Sequence, residues 1–213
     1  MIIENKSMAR MAARLLGQPD PYPDYQDLFA QRLARVEDSA TRMMVFAKTK
    51  HAQQKRKYTN EPYWLHLAEV VGIISSVSTF GTSPGGAPTP PLSIIQSVAW
   101  GHDLIEDPGV TREELLAEFD PMVAVGIEWL TDEPVTEGRN RTTRKAADCE
   151  RLSGAPGWLQ SIKCADIISN TSSIVFHDPD FARVYVHEKR RLLDVLDNAN
   201  PLLRQMAYEN STT

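Results

Sequence analysis

Three segments of the chain each carry one polar residue on an otherwise apolar helical face, and together these residues could bind a metal ion. His66 precedes the apolar Val70 by four residues, and Asp166 follows the apolar Ile162 by four. His102 ends an equally apolar run. A buried imidazole or carboxylate without a partner is costly, and one divalent ion would satisfy all three groups at once.

The same pattern has a simpler interpretation, which the spacing leaves open. A single histidine on an apolar face is more often a hydrogen-bonded core residue than a metal ligand. A His-Asp dipeptide does not by itself indicate a metal site. In the second such pair, His177-Asp178, the following proline predicts that Asp178 is a helix N-cap. Asp103 can reach the same ion as His102 if another element crosses that helix near its end.

Glu106 and Asp107 follow His102 at the predicted end of its helix, and Glu106 lies four residues after it on the same predicted face. An acidic pair beside a metal can orient and deprotonate a water molecule, which is the general-base role. The alternative is a pair of exposed residues before a Pro-Gly stop. Acidic side chains at a helix C-terminus oppose the macrodipole, however, so local stability does not explain them.

Two clusters of basic residues stand out in a chain whose net charge is −5. A metal with cations close by suits a phosphate ester or anhydride, although a solvated run of charge is the alternative. The first cluster precedes the His66 helix and consists of Lys55, Arg56 and Lys57. The second consists of Arg139, Arg141, Arg144 and Lys145.

The elements that would position these residues are helices, because apolar residues recur at spacings of three and four and period-2 alternation is almost absent. The pattern therefore predicts an all-α bundle. We expect an N-terminal helical extension over 1–38, one domain over 39–200 and a C-terminal tail over 201–213. Predicted helices cover roughly 26–36, 38–53, 62–77, 92–107, 112–119, 121–130, 140–152, 156–175 and 179–198.

The composition excludes several classes of protein. The 42% hydrophobic and 24% charged fractions are typical of a soluble globular protein. The acidic balance argues against nucleic-acid binding, and no apolar run approaches the roughly 20 residues that span a membrane. The two cysteines indicate no disulfide framework, and the N-terminus lacks the apolar core of a signal peptide. We therefore expect a cytoplasmic protein.

Four segments resemble, in order and spacing, the HD-domain hydrolase of the RelA/SpoT family. The resemblance covers roughly residues 40–197 and is closest to the small alarmone hydrolases, the type of the metazoan SpoT homologue. Its elements are a basic loop of the H-x-x-Q-x-R-K type, P-Y-x-x-H, H-D-x-x-E-D and K-x-A-D-x-x-x-N, represented here by "HAQQKRK", "PYWLH", "HDLIED" and "KCADIISN".

This resemblance implies the reaction and the role of each residue. It implies removal of the 3′-pyrophosphate from (p)ppGpp to give GDP or GTP, with a guanosine nucleotide as substrate. Glu106 and Asp107 would activate the attacking water. One Mn²⁺ would be held by His66, His102, Asp103 and Asp166. The nucleotide would be bound by Arg56 and Lys57 of the basic loop and by Asn170 near the ribose, with Tyr185 and one of Arg141 and Arg144 as weaker candidates.

The chain also departs from the family pattern. The metal-histidine helix reads "HLAEV" where the family usually has His-Pro, and "IIS" precedes Asn170 where a basic or aromatic residue is common. Residues 81–91 form a proline-rich insertion that we expect beside the site. The altered pocket keeps open another nucleotide substrate, dNTP or NADPH, or a catalytically silent nucleotide sensor. A homo-oligomer also stays open, and residues 1–38 could cover either a dimer interface or the mouth of the pocket.

Overall fold

The computed structural model describes residues 39–86, 88–135 and 140–211, and within them the chain is helical without a β-strand. The prediction of an all-α bundle is confirmed. The predicted helix at 26–36 and the basic residue Arg139 lie outside the described residues. The helices are 39–50 (α1), Trp64–Ser75 (α2), Leu92–Gly101 (α3), Arg112–Glu118 (α4), Pro121–Leu130 (α5), Arg141–Ser153 (α6), Gly157–His177 (α7), Pro179–Leu193 (α8) and Pro201–Asn210 (α9).

Side-chain caps begin most of these helices at the residues that the sequence indicates. Thr111 Oγ1 accepts a hydrogen bond from the Glu114 amide at the start of α4. Asp178 accepts from the amide of Phe181 at 3.1 Å, with Pro179 in the first helical turn of α8. Each cap satisfies an amide that the helix leaves unbonded. The second His-Asp pair of the sequence is therefore a helix cap, as predicted.

Helix α7 is the centre of the bundle. It contacts α2, α3, α5, α8 and α9, and its residues from Gly157 to Ser169 are all buried. The apolar core around it includes Leu67, Ile95, Ile127 and Ile162, each fully buried. A polar side chain in the middle of α7 is therefore held rigidly and away from water. None of the described helices is both long and apolar enough to cross a bilayer.

The end of the chain differs from the predicted tail. Helix α8 ends at Leu193, and α9 follows with Leu203 and Ala207 buried against the bundle. Asn200 caps α9 by accepting from the Leu203 amide at 3.1 Å. An N-cap asparagine followed by proline is a helix-start signal, so residues 201–210 are part of the packed structure.

The proline-rich segment also lies in a different place from the one predicted. The Thr82 amide donates to the Asn198 carbonyl, and the Gly157 amide donates to the Thr82 carbonyl, both at 2.8 Å. Gly81 has a φ of +83°, and a Cβ there would collide with the Asn198 carbonyl. Gly157 precedes the candidate ligand Asp166 by nine residues, about 13 Å of helix. The segment is thus fastened to the start of α7 and not beside the site.

Candidate metal centre

Helix α2 and the turn after α3 bring ligand atoms of His66, His102 and Asp103 within 4.8 Å of one another, and α7 brings Asp166 close to both imidazoles. His66 Nε2 lies 3.4 Å from Asp166 Oδ1 and 3.6 Å from Asp103 Oδ2. His102 Nε2 lies 3.1 Å from Asp103 Oδ2 and 3.7 Å from Asp166 Oδ1. Residues separated by up to 100 positions in the sequence therefore face one another across a space of a few ångströms.

The segment that carries His102 is not the continuous helix that we predicted. Helix α3 ends at Gly101, and the residues from His102 to Asp107 form turns. A Cβ at Gly101 would lie 2.6 Å from Ile127 Cδ1, so α3 packs closely on α5 here and a larger residue would displace the Ile127 side chain. The turn is held by the Asp107 amide, which donates to the Asp103 carbonyl at 3.0 Å. It allows adjacent residues, His102 and Asp103, to face the same point.

The donor set fits a divalent cation. Both Nε2 atoms are buried without a hydrogen-bond partner, while both Nδ1 atoms are engaged. His102 Nδ1 lies 2.8 Å from the Ala99 carbonyl, which can only accept, so Nδ1 carries the proton and Nε2 points at the carboxylates. Two imidazole nitrogens and two carboxylate oxygens form a mixed nitrogen and oxygen set that can hold a divalent ion.

The electrostatics of the two carboxylates support the same conclusion. Burial works to raise the pKa of Asp166, but Lys163 and the two histidines outweigh it and hold that pKa well below its usual range. Burial likewise opposes ionisation of Asp103, and His102 outweighs it. The carboxylates in turn raise the pKa of both His66 and His102. Both carboxylates are therefore ionised, and a divalent cation would take the place of the imidazole protons between them.

Lys163 is a buried cation beside the centre that our sequence analysis did not assign to the site. Its Nζ lies 3.1 Å from Asp166 Oδ2 and 3.6 Å from Asp132 Oδ1. It precedes Asp166 by three residues on α7, so both share a face. Its position as the first residue of the K-x-A-D element was the feature of the sequence that could have assigned it to the site. Lys163 fixes the orientation of the Asp166 carboxylate.

Two further side chains that the sequence analysis left out hold the acidic groups. The hydroxyl of Tyr63 donates to Asp103 Oδ2 at 2.6 Å, and Gln54 Nε2 donates to Asp107 Oδ2 at 2.7 Å. The sequence could have indicated both residues, because Tyr63 belongs to the P-Y-x-x-H element and Gln54 to the H-x-x-Q element. Tyr63 and Gln54 therefore hold the carboxylates of Asp103 and Asp107 in fixed positions.

Glu106 lies at the rim of the centre, and its carboxylate has an unusual affinity for protons. Its Oε1 accepts a hydrogen bond from the Asp132 amide at 2.6 Å. Glu106 keeps an exposed edge, and the partial removal of its carboxylate from water raises its pKa to about 7, with contributions from Asp132 and Asp103, although Lys163 acts in the opposite direction. A carboxylate with a pKa near neutrality is suited to accept a proton during a reaction.

The three residues of the basic loop point in different directions. Arg56 Nη1 pairs with Glu69, at 3.0 Å from Oε1 and 2.9 Å from Oε2. Lys57 lies 3.7 Å from Asp178 Oδ2, and Lys55 is exposed, with its backbone bridged to that of Pro62. The loop thus supplies one cation that is tied to helix α2 and two that lie toward solvent.

Lys57 meets a residue of the second basic cluster at an aromatic ring. The Nζ of Lys57 lies 5.7 Å from the ring centroid of Phe181, and the Arg141 Cζ lies 5.6 Å from the same centroid. Arg141 also makes a two-pronged ion pair with Glu188, at 2.6 and 2.7 Å. The two basic clusters of the sequence therefore converge through Lys57 and Arg141.

The remaining predicted binding residues occupy different surroundings. Asn170 Nδ2 donates to Asp166 Oδ1 at 2.7 Å, which places it at the metal centre itself. Tyr185 is buried on α8, one turn after Phe181, with ring centroids 6.1 Å apart. Arg144 donates to the carbonyl of Glu133. Of these three residues, the structure brings Asn170 directly against a predicted ligand.

Comparison with known proteins supports the fold. No family model matches the chain, and no curated protein matches its sequence. A solved structure does match: that of a metazoan orthologue of SpoT, described as hydrolysing ppGpp and playing a role in starvation responses. The alignment has a TM-score of 0.67 at 22% identity and covers 81% of this chain and 93% of the other. The fold is that of an HD domain. The predicted fold class is confirmed at a level of identity that sequence comparison alone does not detect.

Proposed function

We propose that this chain is a metal-dependent phosphohydrolase that removes the 3′-pyrophosphate from (p)ppGpp, giving GDP or GTP. The observation that carries the proposal is the pair of buried, unbonded Nε2 atoms of His66 and His102 facing the carboxylates of Asp103 and Asp166. The similarity in fold to a SpoT orthologue that hydrolyses ppGpp supports the choice of substrate.

The proposed metal is one Mn²⁺ ion, held by His66, His102, Asp103 and Asp166. When bound, it would polarise the phosphate and neutralise charge that develops on it during the reaction. Lys163 and Tyr63 hold the two carboxylates in the orientation that faces the imidazoles. The ligands are therefore positioned before any ion arrives.

Glu106 is the proposed general base. Its carboxylate takes a proton from the water that attacks the phosphorus attached to the 3′-oxygen. The bond between that phosphorus and the 3′-oxygen breaks, pyrophosphate leaves, and the 3′-oxygen ends as a hydroxyl after taking a proton. The Asp132 amide orients Glu106 through Oε1. Asp107, fixed by Gln54, is proposed to orient the same water.

The proposed nucleotide pocket extends from the metal centre toward the ring of Phe181. Lys57 and Arg141 flank that ring, and cations in this position suit the phosphate oxygens of the substrate. Asn170 is proposed to contact the ribose from its position beside Asp166. The other proposed binding residues are Lys55, Arg56, Arg144 and Tyr185.

A substrate panel tests the proposed reaction. The purified chain with Mn²⁺ is incubated with ppGpp, pppGpp, dGTP and NADPH, and the products are separated by chromatography. We expect GDP and pyrophosphate from ppGpp, and GTP and pyrophosphate from pppGpp. Triphosphate release from dGTP or phosphate release from NADPH, without hydrolysis of ppGpp, would identify a different nucleotide substrate. No turnover of any compound by the metal-loaded chain would indicate a silent nucleotide sensor.

Turnover is expected to fall as the pH drops, because only ionised Glu106 can accept a proton. The pKa of Glu106 is raised to about 7, and a bound cation would lower it from that value. The acid limb of kcat should therefore lie below about pH 7 and lose tenfold per pH unit once the pKa is passed. Rates are measured on metal-saturated protein with the metal content checked at each pH, since acid also protonates the histidines.

The residual rate of Glu106→Gln should lack this acid limb. If the residual rate of metal-loaded Glu106→Gln kept the acid limb of the wild type, Glu106 would be excluded as the base.

A further inference from the structure

A chain of polar side chains leads from the protein surface to the buried histidine of α2. Ser169 Oγ lies 2.8 Å from His66 Nδ1 and 2.6 Å from Glu69 Oε2. Glu69 in turn is paired with Arg56. Glu69 follows His66 by three residues on α2, and Ser169 follows Asp166 by three on α7, so the chain runs one helical turn to the side of the metal centre.

The direction of these hydrogen bonds follows from the number of protons available. A carboxylate that is paired with an arginine can only accept, and a serine hydroxyl has a single proton to donate. Ser169 therefore gives its proton to Glu69. It has only lone pairs left for His66, so Nδ1 must be the donor in that contact. The one nitrogen of His66 that remains for a metal is Nε2, the atom that faces Asp103 and Asp166.

We infer that Glu69 and Ser169 are positioning residues that keep the proton of His66 on Nδ1 and thereby reserve Nε2 for the metal ion. This role rests on the proposed metal centre and adds two residues to it. Without Glu69, the Ser169 hydroxyl is free to turn its proton toward Nδ1, which moves the imidazole proton to Nε2 and blocks the ligand atom. Arg56 keeps the Glu69 carboxylate in place and is 10% exposed itself.

The surroundings explain why such a chain is needed at His66 in particular. The partner of His102 Nδ1 is a backbone carbonyl, which cannot donate and so fixes that tautomer without help. Ser169 is a hydroxyl, which can donate or accept, and it leaves the tautomer of His66 undecided unless a third group takes its proton. Glu69 is that group.

Metal affinity tests the two residues independently of turnover. Titration calorimetry with Mn²⁺ alone is expected to show about 10–100-fold weaker binding for Ser169→Ala, the loss usual for an outer partner of a ligand. Ser169→Thr keeps a hydroxyl and should restore affinity. Glu69→Ala should weaken binding to a similar extent, and the double variant should be no weaker than either single one, since the same chain is already broken. Ser172→Ala removes a neighbouring hydroxyl of α7 that bonds only the Ile168 carbonyl, and it should bind Mn²⁺ as the wild type does.

A nuclear magnetic resonance measurement on the Zn²⁺-loaded protein separates this role from a merely structural one. The Nδ1 proton of His66 should give a slowly exchanging signal in the wild type and in Ser169→Thr, and the signal should be lost in Ser169→Ala. Unchanged Mn²⁺ affinity in Ser169→Ala, or additive losses in the double variant, would refute the role of Glu69 and Ser169 while the metal centre stood. A wild-type chain that bound no divalent ion would refute the metal centre itself.

Discussion

Glu106→Gln is expected to lower kcat for ppGpp hydrolysis by about 10²–10⁴-fold while the metal content stays the same. The amide cannot take a proton from water, yet it has the size of the carboxylate and its carbonyl oxygen can still accept from the Asp132 amide. KM should change little, because the substitution removes a group that acts in the transition state. The measurements are steady-state kinetics and metal analysis of the same preparation.

A matched control is Glu118→Gln, which makes the same chemical change on an exposed residue of α4 whose carboxylate faces Arg42. It should leave kcat and metal content unchanged. If Glu106→Gln lost metal together with activity, Glu106 would be a ligand or a structural residue and the base would have to be sought elsewhere, with Asp107 as the first candidate.

Asp103→Ala is expected to abolish both metal binding and turnover. The substitution removes a donor that lies within 3.6 Å of both Nε2 atoms, and it also removes the acceptor of the Tyr63 hydroxyl. The loss of metal affinity should exceed the about 10–100-fold loss that removal of an outer partner causes. Calorimetry with Mn²⁺ measures the affinity, and circular dichroism establishes that the variant is folded.

The second His-Asp pair of the chain provides the control. Asp178→Ala removes the N-cap of α8 and should lower the free energy of unfolding by about 1 kcal/mol while metal content stays at the wild-type level. Retention of metal by Asp103→Ala would show that the remaining three donors suffice, and Asp103 would then be an orienting group and not a ligand.

The contrast between Glu106 and Asp103 also separates the explanations for a failed reaction. A variant that loses metal and turnover together has lost a metal ligand. A variant that keeps its metal and loses turnover has lost a group that takes part in the reaction. Neither result depends on the identity of the nucleotide, so both can be obtained with whichever substrate the panel reveals.

Some parts of the structure were predictable because they depend on local spacing. Helical periodicity places His66 and Asp166 on apolar faces, and the faces of packed helices must meet. Proline with a preceding cap residue marks the start of α8 at Asp178. The Asn200-Pro201 pair carries the same signal for α9, which we predicted as a tail.

The end of α3 could not be predicted from periodicity. The apolar pattern continues through Leu104, which is fully buried. A longer α3 and the observed non-helical turn would both bury this side chain, so the pattern does not distinguish them. The close approach of Gly101 to Ile127 next to this turn is a property of how α3 packs on α5. The position of the proline-rich segment likewise depends on hydrogen bonds to Asn198 and Gly157, which are distant in the sequence.

The sequence by itself predicted the helical architecture and singled out His66, His102 and Asp166, since these depend on residue type and spacing within one segment. The full ligand set and the roles of Glu106 and Asp107 came from the resemblance to a known family. Only the tertiary structure decided what holds the ligands. Tyr63 lies 40 residues from Asp103, and Ser169 lies 100 residues from Glu69. Hydrogen bonds have a reach of about 3 Å, so such pairs depend on the angle and register at which α2, α3 and α7 pack. Two of the segments that depart from the family pattern, "HLAEV" and "IIS", supply Glu69 and Ser169, which meet because α2 and α7 pack side by side.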